Sequence, residues 1–235
     1  MPGEEGAAIV GDMKNPSDDV SCEEADATGF LRVFQHPLIE HNLAILRNKG
    51  TDNRLFRETL GILSELLVYE ITRTLPTREV RIETPLETCT CRQVAAQVLL
   101  VPILRAGLGM ATNIQRLLPT ARTGHIGIYR DEKAHAPVEY YCKLPPGAES
   151  MKAFVLDPML ATGGSLSYAL DMLKRRGVRD LTIVSIVSAP QGIAAVHAAH
   201  PEVPIYTAAL DRELNADAYI LPGLGDCGDR IFGTI

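Results

Sequence analysis

Four nearly continuous runs of apolar residues constrain the fold of this chain more than any other feature of its sequence. They cover residues 97–104, 151–156, 181–187 and 205–210. A strand that is buried on both faces of a parallel sheet is apolar along its whole length, and these runs have that character. Segments with helical spacing lie between them, which indicates an α/β fold with a parallel sheet flanked by helices. Because ligands bind at the carboxyl ends of such strands, the residues that follow each run are the candidates for a functional site.

Two N-terminal segments and several shorter ones complete this pattern. Apolar residues recur at helical spacing in residues 37–49 and 52–74, and Asp52 is the expected N-cap of the second helix. One stripe of that helix consists of Leu60, Leu63, Leu67 and Ile71. Further helices are predicted at residues 108–117, 165–176 and 192–199, and further strands at 79–84, 124–129 and 138–142. The last of these strands is expected to form an arm with the strand before it.

Composition disfavours several classes of protein. The chain has 235 residues, of which 46% are hydrophobic, enough for one substantial core. It carries 23 basic and 29 acidic residues, a net charge of -6, which argues against a nucleic-acid partner. No apolar stretch approaches the length of about 20 residues that spans a bilayer. The five cysteines are irregularly spaced, as reduced thiols of a cytoplasmic protein would be. We therefore expect a cytoplasmic protein with neither a nucleic-acid nor a membrane partner.

The first residues differ in character from the rest of the chain. Residues 1–29 are acidic and polar, and they lack the basic region and apolar core of a signal peptide. We expect them to form a mobile extension. Residues 30–235 are expected to form a single domain.

The strongest chemical signal lies where the second apolar run ends. The sequence AFVLDPMLATGGS places Asp157 at the end of the strand, and Thr162, Gly163, Gly164 and Ser165 at the start of a helix. Free N–H groups and the helix dipole favour an anion at such a helix start. The glycines let the backbone approach phosphate oxygens, and the hydroxyls add donors. A carboxylate nearby can accept hydrogen bonds from ribose hydroxyls. An ordinary capped helix is the alternative, and the other common phosphate loop, G-x-x-x-x-G-K-[ST], is absent.

A second motif, VPILRAGLGM, follows the first apolar run. Its strand delivers Arg105 to the carboxyl end, where a guanidinium can hold a diphosphate with a bidentate fork. The glycines after it suggest a dinucleotide fingerprint, but Thr112 occupies the third glycine position. An ordinary ion pair of Arg105 is the other alternative. A third strand end, IYRDE, carries Arg130, which alone would be typical of a solvated strand end.

The C-terminal segment YILPGLGDCGDRIFGT is rich in glycine. Gly223, Gly225 and Gly228 match G-x-G-x-x-G, but too few residues follow for a helix and a second strand. We therefore interpret the match as coincidental. The segment is expected to be an irregular loop that exposes backbone groups, with Asp226 within it.

Together these motifs resemble the type I phosphoribosyltransferases. The family motif is an apolar run, usually two acidic residues, and a T-G-G-[ST] turn. Here Pro158 takes the second acidic position, which is similar to the uracil-specific branch. The resemblance extends from Phe34 onward over nearly all of the chain. It implies a parallel sheet flanked by helices, with a small hood from the N- and C-terminal segments and a β-arm. It also implies a reaction of pyrimidine salvage, in which uracil and 5-phosphoribosyl 1-diphosphate give UMP and diphosphate.

The resemblance also implies which residues form the site. Those expected to bind phosphoribosyl diphosphate are Arg105, Arg130, Asp157, Pro158, Met159, Leu160, Ala161, Thr162, Gly163, Gly164, Ser165 and Asp226. Those expected to line the uracil pocket, largely through main-chain atoms, are Ile220, Gly225, Asp226 and Cys227. Asp226 and Arg130 are the catalytic candidates. Two positions depart from the family, which usually has Ala at Cys227 and Asn at Cys142.

The resemblance extends to cofactors and partners. Magnesium is expected to be held mainly by the diphosphate, with no ligand set from the protein. Some relatives are activated by GTP, and homodimers or homotetramers occur in the family. Two other functions stay open: a regulator with the same fold that binds phosphoribosyl diphosphate and acts on nucleic acid, and an enzyme that uses another base such as hypoxanthine. The acidic balance argues against the first, and Pro158 argues against the second.

Overall fold

The computed structural model describes residues 23–25, 30–130 and 137–234, with only the backbone described for residues 23–25, 130 and 137. Its strands are β1 (Glu23–Ala25), β2 (Leu31–Phe34), β3 (Thr77–Glu83), β4 (Thr88–Val94), β5 (Val98–Leu104), β6 (Arg122–Thr123), β7 (His125–Arg130), β8 (Pro137–Lys143), β9 (Lys152–Leu156), β10 (Met159–Leu160), β11 (Leu181–Ser188), β12 (Ile205–Leu210), β13 (Glu213–Leu214) and β14 (Ile220–Leu221). Its α-helices are α1 (Pro37–Arg47), α2 (Asn53–Ile71), α3 (Leu108–Leu117), α4 (Gly164–Arg175), α5 (Pro190–Ala199) and α6 (Cys227–Phe232). Short 3₁₀ turns lie at Thr72–Thr74 and Ala148–Ser150.

The main sheet confirms the predicted parallel arrangement. Its strand order is β1-β2-β12-β11-β9-β5-β7-β8. Every neighbouring pair from β2 to β7 is parallel, whereas β1 and β8 at the two edges run antiparallel to their neighbours. The four apolar runs form the adjacent strands β5, β9, β11 and β12. Their carboxyl ends therefore lie side by side at one edge of the sheet.

Alternate residues of these strands face two separate cores. On one face, Leu100, Phe154 and Ile186 pack with α1, α2, α3 and α6. On the other face, Val101 and Val155 pack with α4 and α5. Because helices cover both faces, each central strand is apolar along its whole length, which explains the sequence pattern.

The long helix α2 forms much of the first core. Asp52 accepts a hydrogen bond from the N–H of Leu55 at 2.8 Å and caps the helix as predicted. The predicted stripe is fully included in the core, with Leu60, Leu63 and Leu67 at 0% exposure and Ile71 at 4%. The helix is therefore fixed between the sheet and the remaining helices on that face.

Two hairpins extend from this framework. The predicted arm is confirmed, because β7 and β8 pair antiparallel with an irregularity between Gly127 and Ile128. A second hairpin, β3 with β4, forms its own two-stranded sheet. Its second strand has the sequence TCTCRQV and was not predicted, because it is largely exposed and lacks an apolar alternation. Cys89 and Cys91 lie on it as free thiols with Sγ atoms 3.7 Å apart.

The N-terminal extension is described only in part. Residues Glu23–Ala25 form β1, which pairs with β2 at the edge of the main sheet. The predicted mobility of residues 1–22 and 26–29 lies outside the described residues. Among the described helices, none has the length and apolar character required to cross a membrane.

Candidate functional site

The loop that follows β9 leads directly into the first turn of α4. Gly163 is the N-cap, and the carbonyl of Gly163 accepts the first intrahelical hydrogen bond from the N–H of Ser167 at 2.9 Å. Among the described residues, no side chain caps this helix. The N–H groups of the first turn have no acceptor within an α-helix. Thr162, Gly164 and Ser165 are exposed, so the amides and two hydroxyls of this turn face solvent in the arrangement that suits an anion.

Gly163 allows this turn to pack closely on the neighbouring helix. Its φ of +82° is left-handed, and a Cβ atom on it would lie 2.8 Å from the carbonyl oxygen of Gly192 in α5. The exposed Gly164 has no such constraint, since its nearest contact would be 3.8 Å away. The two adjacent glycines of the motif therefore have different roles. Only Gly163 is required by a left-handed backbone and by close packing against α5.

Replacing Gly163 with alanine is therefore expected to destabilise the fold by about 1–3 kcal/mol, through left-handed strain and overpacking. For a chain of this size, that corresponds to a melting temperature lower by about 3 °C or more. The matched control is Gly164→Ala, which should change the melting temperature by less than about 1 °C. Equal melting temperatures for the two variants in calorimetry would contradict the close packing of the turn.

The residues between the carboxylate and the turn are more regular than predicted. Met159 and Leu160 form β10, which pairs in parallel with Val187 and Ser188 of β11. The carbonyl of Pro158 accepts hydrogen bonds from Ile186 and Val187 at 3.1 Å each. This two-residue strand lies between Asp157 and the turn, and it forms because the end of β11 extends past β9 and offers it a partner.

Asp157 lies at the carboxyl end of β9, in the centre of the sheet edge. Its Oδ1 accepts a hydrogen bond from the N–H of Met159 at 3.2 Å. Burial raises the pKa of the Asp157 carboxyl from 3.8 to about 6, and the Met159 N–H lowers it only in part. The carboxylate is therefore partly shielded from water and keeps acceptor capacity for a ligand.

Arg105 lies directly after β5, beside β9. Gly107 brings its loop against that strand so closely that a Cβ atom would lie 2.4 Å from the Leu156 carbonyl oxygen. The Arg105 side chain is 59% exposed, and its Nη2 lies 3.6 Å from Oδ1 of Asp229 in α6. Its guanidinium carbon lies 5.6 Å from the centre of the Phe232 ring. The ion pair considered from the sequence does exist, but it is long and exposed, so the guanidinium remains accessible to an anion.

Arg130 is the last residue of β7, the strand next to β5. Its backbone therefore lies at the predicted edge of the sheet. The side chain of Arg130, together with Asp131 and Glu132, lies outside the described residues.

The C-terminal segment reaches this edge from the face of the sheet that α1, α2 and α3 cover. Gly223 and Gly225 have φ values of +58° and +78°, and the segment then enters α6. The expected irregular loop therefore ends at Asp226, because Cys227–Phe232 form a short helix that Asp226 caps. The Asp226 Oδ1 accepts a hydrogen bond from the N–H of Asp229 at 2.9 Å. No second strand follows within the described residues, so the dinucleotide pattern is indeed coincidental.

The predicted pocket residues in this segment differ in exposure. Gly225 and Asp226 are exposed, whereas Ile220 and Cys227 are 3% and 2% exposed and pack in the core beside α2. Burial raises the pKa of the Cys227 thiol, and the Asp157 and Asp226 carboxylates raise it further. Asp157 at the end of β9 and Asp226 before α6 therefore act electrostatically on the same thiol. Of the four residues, Gly225 and Asp226 therefore present the most accessible groups.

The other unusual cysteine lies on the arm. Cys142 of β8 pairs with Ile126 of β7 and is partly buried against the second core. Burial raises the pKa of its thiol. The thiol therefore has a packing contact within this chain.

Three residues that hold the C-terminal segment were missed by sequence reasoning. Arg47 and Asp211 form an ion pair that contacts the backbone of Gly223. Arg230 donates to the carbonyls of Leu224 at 2.9 Å and Asn48 at 2.7 Å. Most of these contacts join distant parts of the sequence, such as Arg47 with Asp211 and Arg230 with Asn48, so the sequence gives no local signal for them.

Metal-binding side chains are not grouped at this edge. Within the described ranges, no set of three or more His, Cys, Asp or Glu side chains could hold a metal ion.

Comparison with known proteins matches this geometry to one family. A family model described as uracil phosphoribosyltransferase matches residues 33–234. The uracil phosphoribosyltransferase of Symbiobacterium thermophilum is 54% identical over 203 residues, 86% of this chain and 97% of that protein. That of Acholeplasma laidlawii is 51% identical over 206 residues, 88% of this chain and 99% of that protein. The solved structure of the AQ2163 protein from Aquifex aeolicus superimposes with a TM-score of 0.80 at 34% identity, covering 86% of this chain and 97% of that chain. The turn before α4, Asp157 and the glycine segment lie at one edge of the sheet. The matches show that this chain belongs to the uracil phosphoribosyltransferase family.

Proposed function

We propose that this chain transfers the phosphoribosyl group of 5-phosphoribosyl 1-diphosphate to uracil, giving UMP and diphosphate in pyrimidine salvage. Family membership over residues 33–234 supports the reaction. The observation that carries it structurally is the convergence of Arg105, Asp157 and the turn before α4 with the segment around Gly225. One part of this edge suits a sugar phosphate, and the other offers backbone groups to a base.

The described contacts support our assignment of the sugar-phosphate half of the site. We assign the 5′-phosphate to the first turn of α4, where residues 161–165 offer amides and hydroxyls. Asp157 accepts hydrogen bonds from the ribose hydroxyls, and Pro158, Met159 and Leu160 hold it in place by pairing with β11. Arg105 and Arg130 bind the diphosphate. Guanidinium groups suit this task because their donors match phosphate oxygens in pairs.

The base half of the site is the segment from Ile220 to Cys227. Uracil presents one N–H between two carbonyl groups, an edge that backbone C=O and N–H groups can complement. Cytosine would leave some of those groups unpaired, at a cost of about 1–3 kcal/mol each. Gly225 and Asp226 are exposed and offer such groups, whereas Ile220 and Cys227 support them from the core.

The proposed reaction proceeds at C1 of the ribose. The bond from C1 to the diphosphate oxygen breaks, N1 of uracil forms the new bond on the opposite face, and the N1 proton is released. Holding base and sugar in near-attack geometry can supply roughly 7–11 kcal/mol of the barrier. Arg105 and Arg130 stabilise the charge that develops on the diphosphate. Asp226 is the carboxylate we place nearest the reacting base.

Magnesium fits this site as a partner of the substrate. The described residues offer no cluster of three metal-binding side chains, so the diphosphate oxygens would supply most of the coordination. When bound, magnesium would neutralise part of the diphosphate charge. The residues of this chain then need only to orient the diphosphate through Arg105 and Arg130.

Assembly and regulation belong to the same proposal. We propose that the enzyme acts in the cytoplasm as a homodimer or homotetramer and that GTP activates it. The exposed hairpins β3–β4 and β7–β8 offer surface for contacts between copies. Sedimentation of the purified chain would test the oligomeric state, and UMP formation with and without GTP would test the activation.

The decisive experiment is a UMP assay on the purified full chain with uracil, 5-phosphoribosyl 1-diphosphate and magnesium, with and without GTP. We expect UMP to form from uracil, and neither cytosine nor hypoxanthine to replace it at a comparable rate. A gel-shift with RNA and DNA on the same preparation should show no binding. Failure to form UMP, or a preference for hypoxanthine, would overturn the proposed reaction.

A further inference from the structure

The backbone of Gly223, three residues before Asp226, is held by an ion pair between distant elements. Arg47 donates to Asp211 through Nη1 at 2.8 Å and through Nη2 at 2.6 Å. Asp211 Oδ2 also accepts a hydrogen bond from the N–H of Gly223 at 2.9 Å. Arg47 Nη1 donates in turn to the carbonyl of Gly223 at 2.9 Å. One ion pair therefore satisfies both backbone polar groups of this residue.

The ion pair itself is anchored to the core of the fold. Asp211 directly follows β12, and its N–H donates to the carbonyl of Ser188 at the end of β11 at 2.8 Å. Arg47 is the last residue of α1. Their side chains are 4% and 24% exposed. Because the pair is largely buried and both Asp211 oxygens accept hydrogen bonds, it fixes the segment relative to the sheet and to α1.

A second arginine fixes the next carbonyl of the segment. Arg230 donates to the carbonyl of Leu224 at 2.9 Å and also to the carbonyl of Leu46 in α1. Its guanidinium carbon lies 4.3 Å from the centre of the Phe56 ring. The consecutive carbonyls of Gly223 and Leu224 thus each accept a hydrogen bond from an arginine.

Gly225 is the first residue of the segment whose carbonyl accepts no hydrogen bond from an arginine among the described residues. In the part of the chain that the structure describes, no backbone hydrogen bond uses its N–H or its C=O. The residue is exposed. The direction of its free groups is set by the peptide units before it, and these are held by Arg47, Asp211 and Arg230.

We propose that Arg47 and Asp211 are positioning residues that set the affinity for the base, through the backbone of the segment from Gly223 to Cys227. The inference rests on the proposed function. Neither residue contacts the turn before α4, Asp157 or Arg105 by any hydrogen bond described above. Asp226 is the one residue of this segment that is also expected to bind phosphoribosyl diphosphate, so loss of the pair should impair uracil binding and change the binding of phosphoribosyl diphosphate only slightly.

The test compares two conservative variants with the wild-type enzyme. Arg47→Lys keeps the charge but removes the planar fork that reaches both Asp211 oxygens and the Gly223 carbonyl. Asp211→Asn keeps the shape of the side chain but turns one acceptor into a donor. For each, we expect the KM for uracil to rise at least tenfold at saturating phosphoribosyl diphosphate. The KM for phosphoribosyl diphosphate should stay within about twofold at saturating uracil.

Arg57→Lys is the matched control. Arg57 also donates from a helix to a C-terminal carbonyl, that of Ile231 at 2.8 Å, but this contact lies beyond the base segment. We expect its KM for uracil to change less than about threefold. Asp211→Asn carries the test if Arg47→Lys does not fold.

The possible outcomes separate the inference from the function on which it rests. An inactive wild-type enzyme would remove the proposed function itself. An active wild type whose two variants raise both KM values equally, or neither, would overturn the positioning role. A rise for uracil alone, absent in Arg57→Lys, would support it.

Discussion

Asp157→Asn is expected to lower UMP formation at least tenfold and, at the same time, to stabilise the fold at neutral pH. The carboxylate is the group that we assign to the ribose hydroxyls, and an amide offers one acceptor where the carboxylate offers two. A tenfold loss corresponds to about 1.4 kcal/mol of transition-state stabilisation. The measurement is kcat/KM for phosphoribosyl diphosphate at pH 8.

The pH dependence follows from the pKa of about 6 that burial gives Asp157. Above this pH the wild-type carboxyl is ionised and accepts from two hydroxyls, and below it the carboxyl is protonated and resembles an amide. The ratio of wild-type to variant activity should therefore be largest above pH 7 and shrink as the pH falls below 6. A ratio that does not depend on pH would contradict the assignment.

Stability should change in the opposite direction. The folded pKa exceeds the ordinary value of 3.8, so the native state holds this proton more tightly than the unfolded chain does. Stability from this group is present below pH 3.8 and is lost as the pH rises through about 6, by about 1–3 kcal/mol. Asp157→Asn should avoid that loss, and its melting temperature at pH 8 should rise by about 2 °C or more. Asp180→Asn, which removes an exposed carboxylate outside the site, should retain activity and show no such rise.

Arg105→Ala is expected to lower kcat/KM for phosphoribosyl diphosphate by about ten- to a hundredfold, because a charge-assisted hydrogen bond contributes roughly 1.5–3 kcal/mol. Its ion pair with Asp229 is long and exposed, so the melting temperature should change by less than about 2 °C. Arg105→Lys should recover only part of the activity, since an ammonium cannot form the bidentate contact.

Arg54→Ala is the control for loss of one positive charge. Arg54 is 75% exposed and pairs only with Glu58 on the same helix among the contacts described. Its removal should leave activity within about twofold. Wild-type kinetics in Arg105→Ala would refute the assignment of the diphosphate to this strand end.

The elements that the sequence predicts well are those whose signal is local. The apolar runs became the four central strands, and the stripe from Leu60 to Ile71 became the buried face of α2. Elements without a local signal were missed. The exposed strand Thr88–Val94 is stabilised by its hairpin partner, and β10 exists because β11 extends beyond β9. The helix Cys227–Phe232 depends on the Asp226 cap and on packing against α2.

The residues of the site can also be divided into those with a local sequence signal and those without one. The turn before α4, Asp157 and Arg105 could be located from sequence because strand, loop and helix follow one another along the chain. The sequence does not reveal that Asp157 titrates near pH 6, because that pKa depends on burial by surrounding elements. It also does not connect Arg47 with Asp211, which are separated by 164 residues.

The sequence alone determined the four central strands with the helices between them, the family and the place of the turn before α4, because apolar periodicity and short motifs act between residues close in the chain. The tertiary structure decided which groups of the glycine segment remain free and which side chains hold it. Those properties arise from contacts between chain segments that meet only after the sheet and both helical layers have assembled.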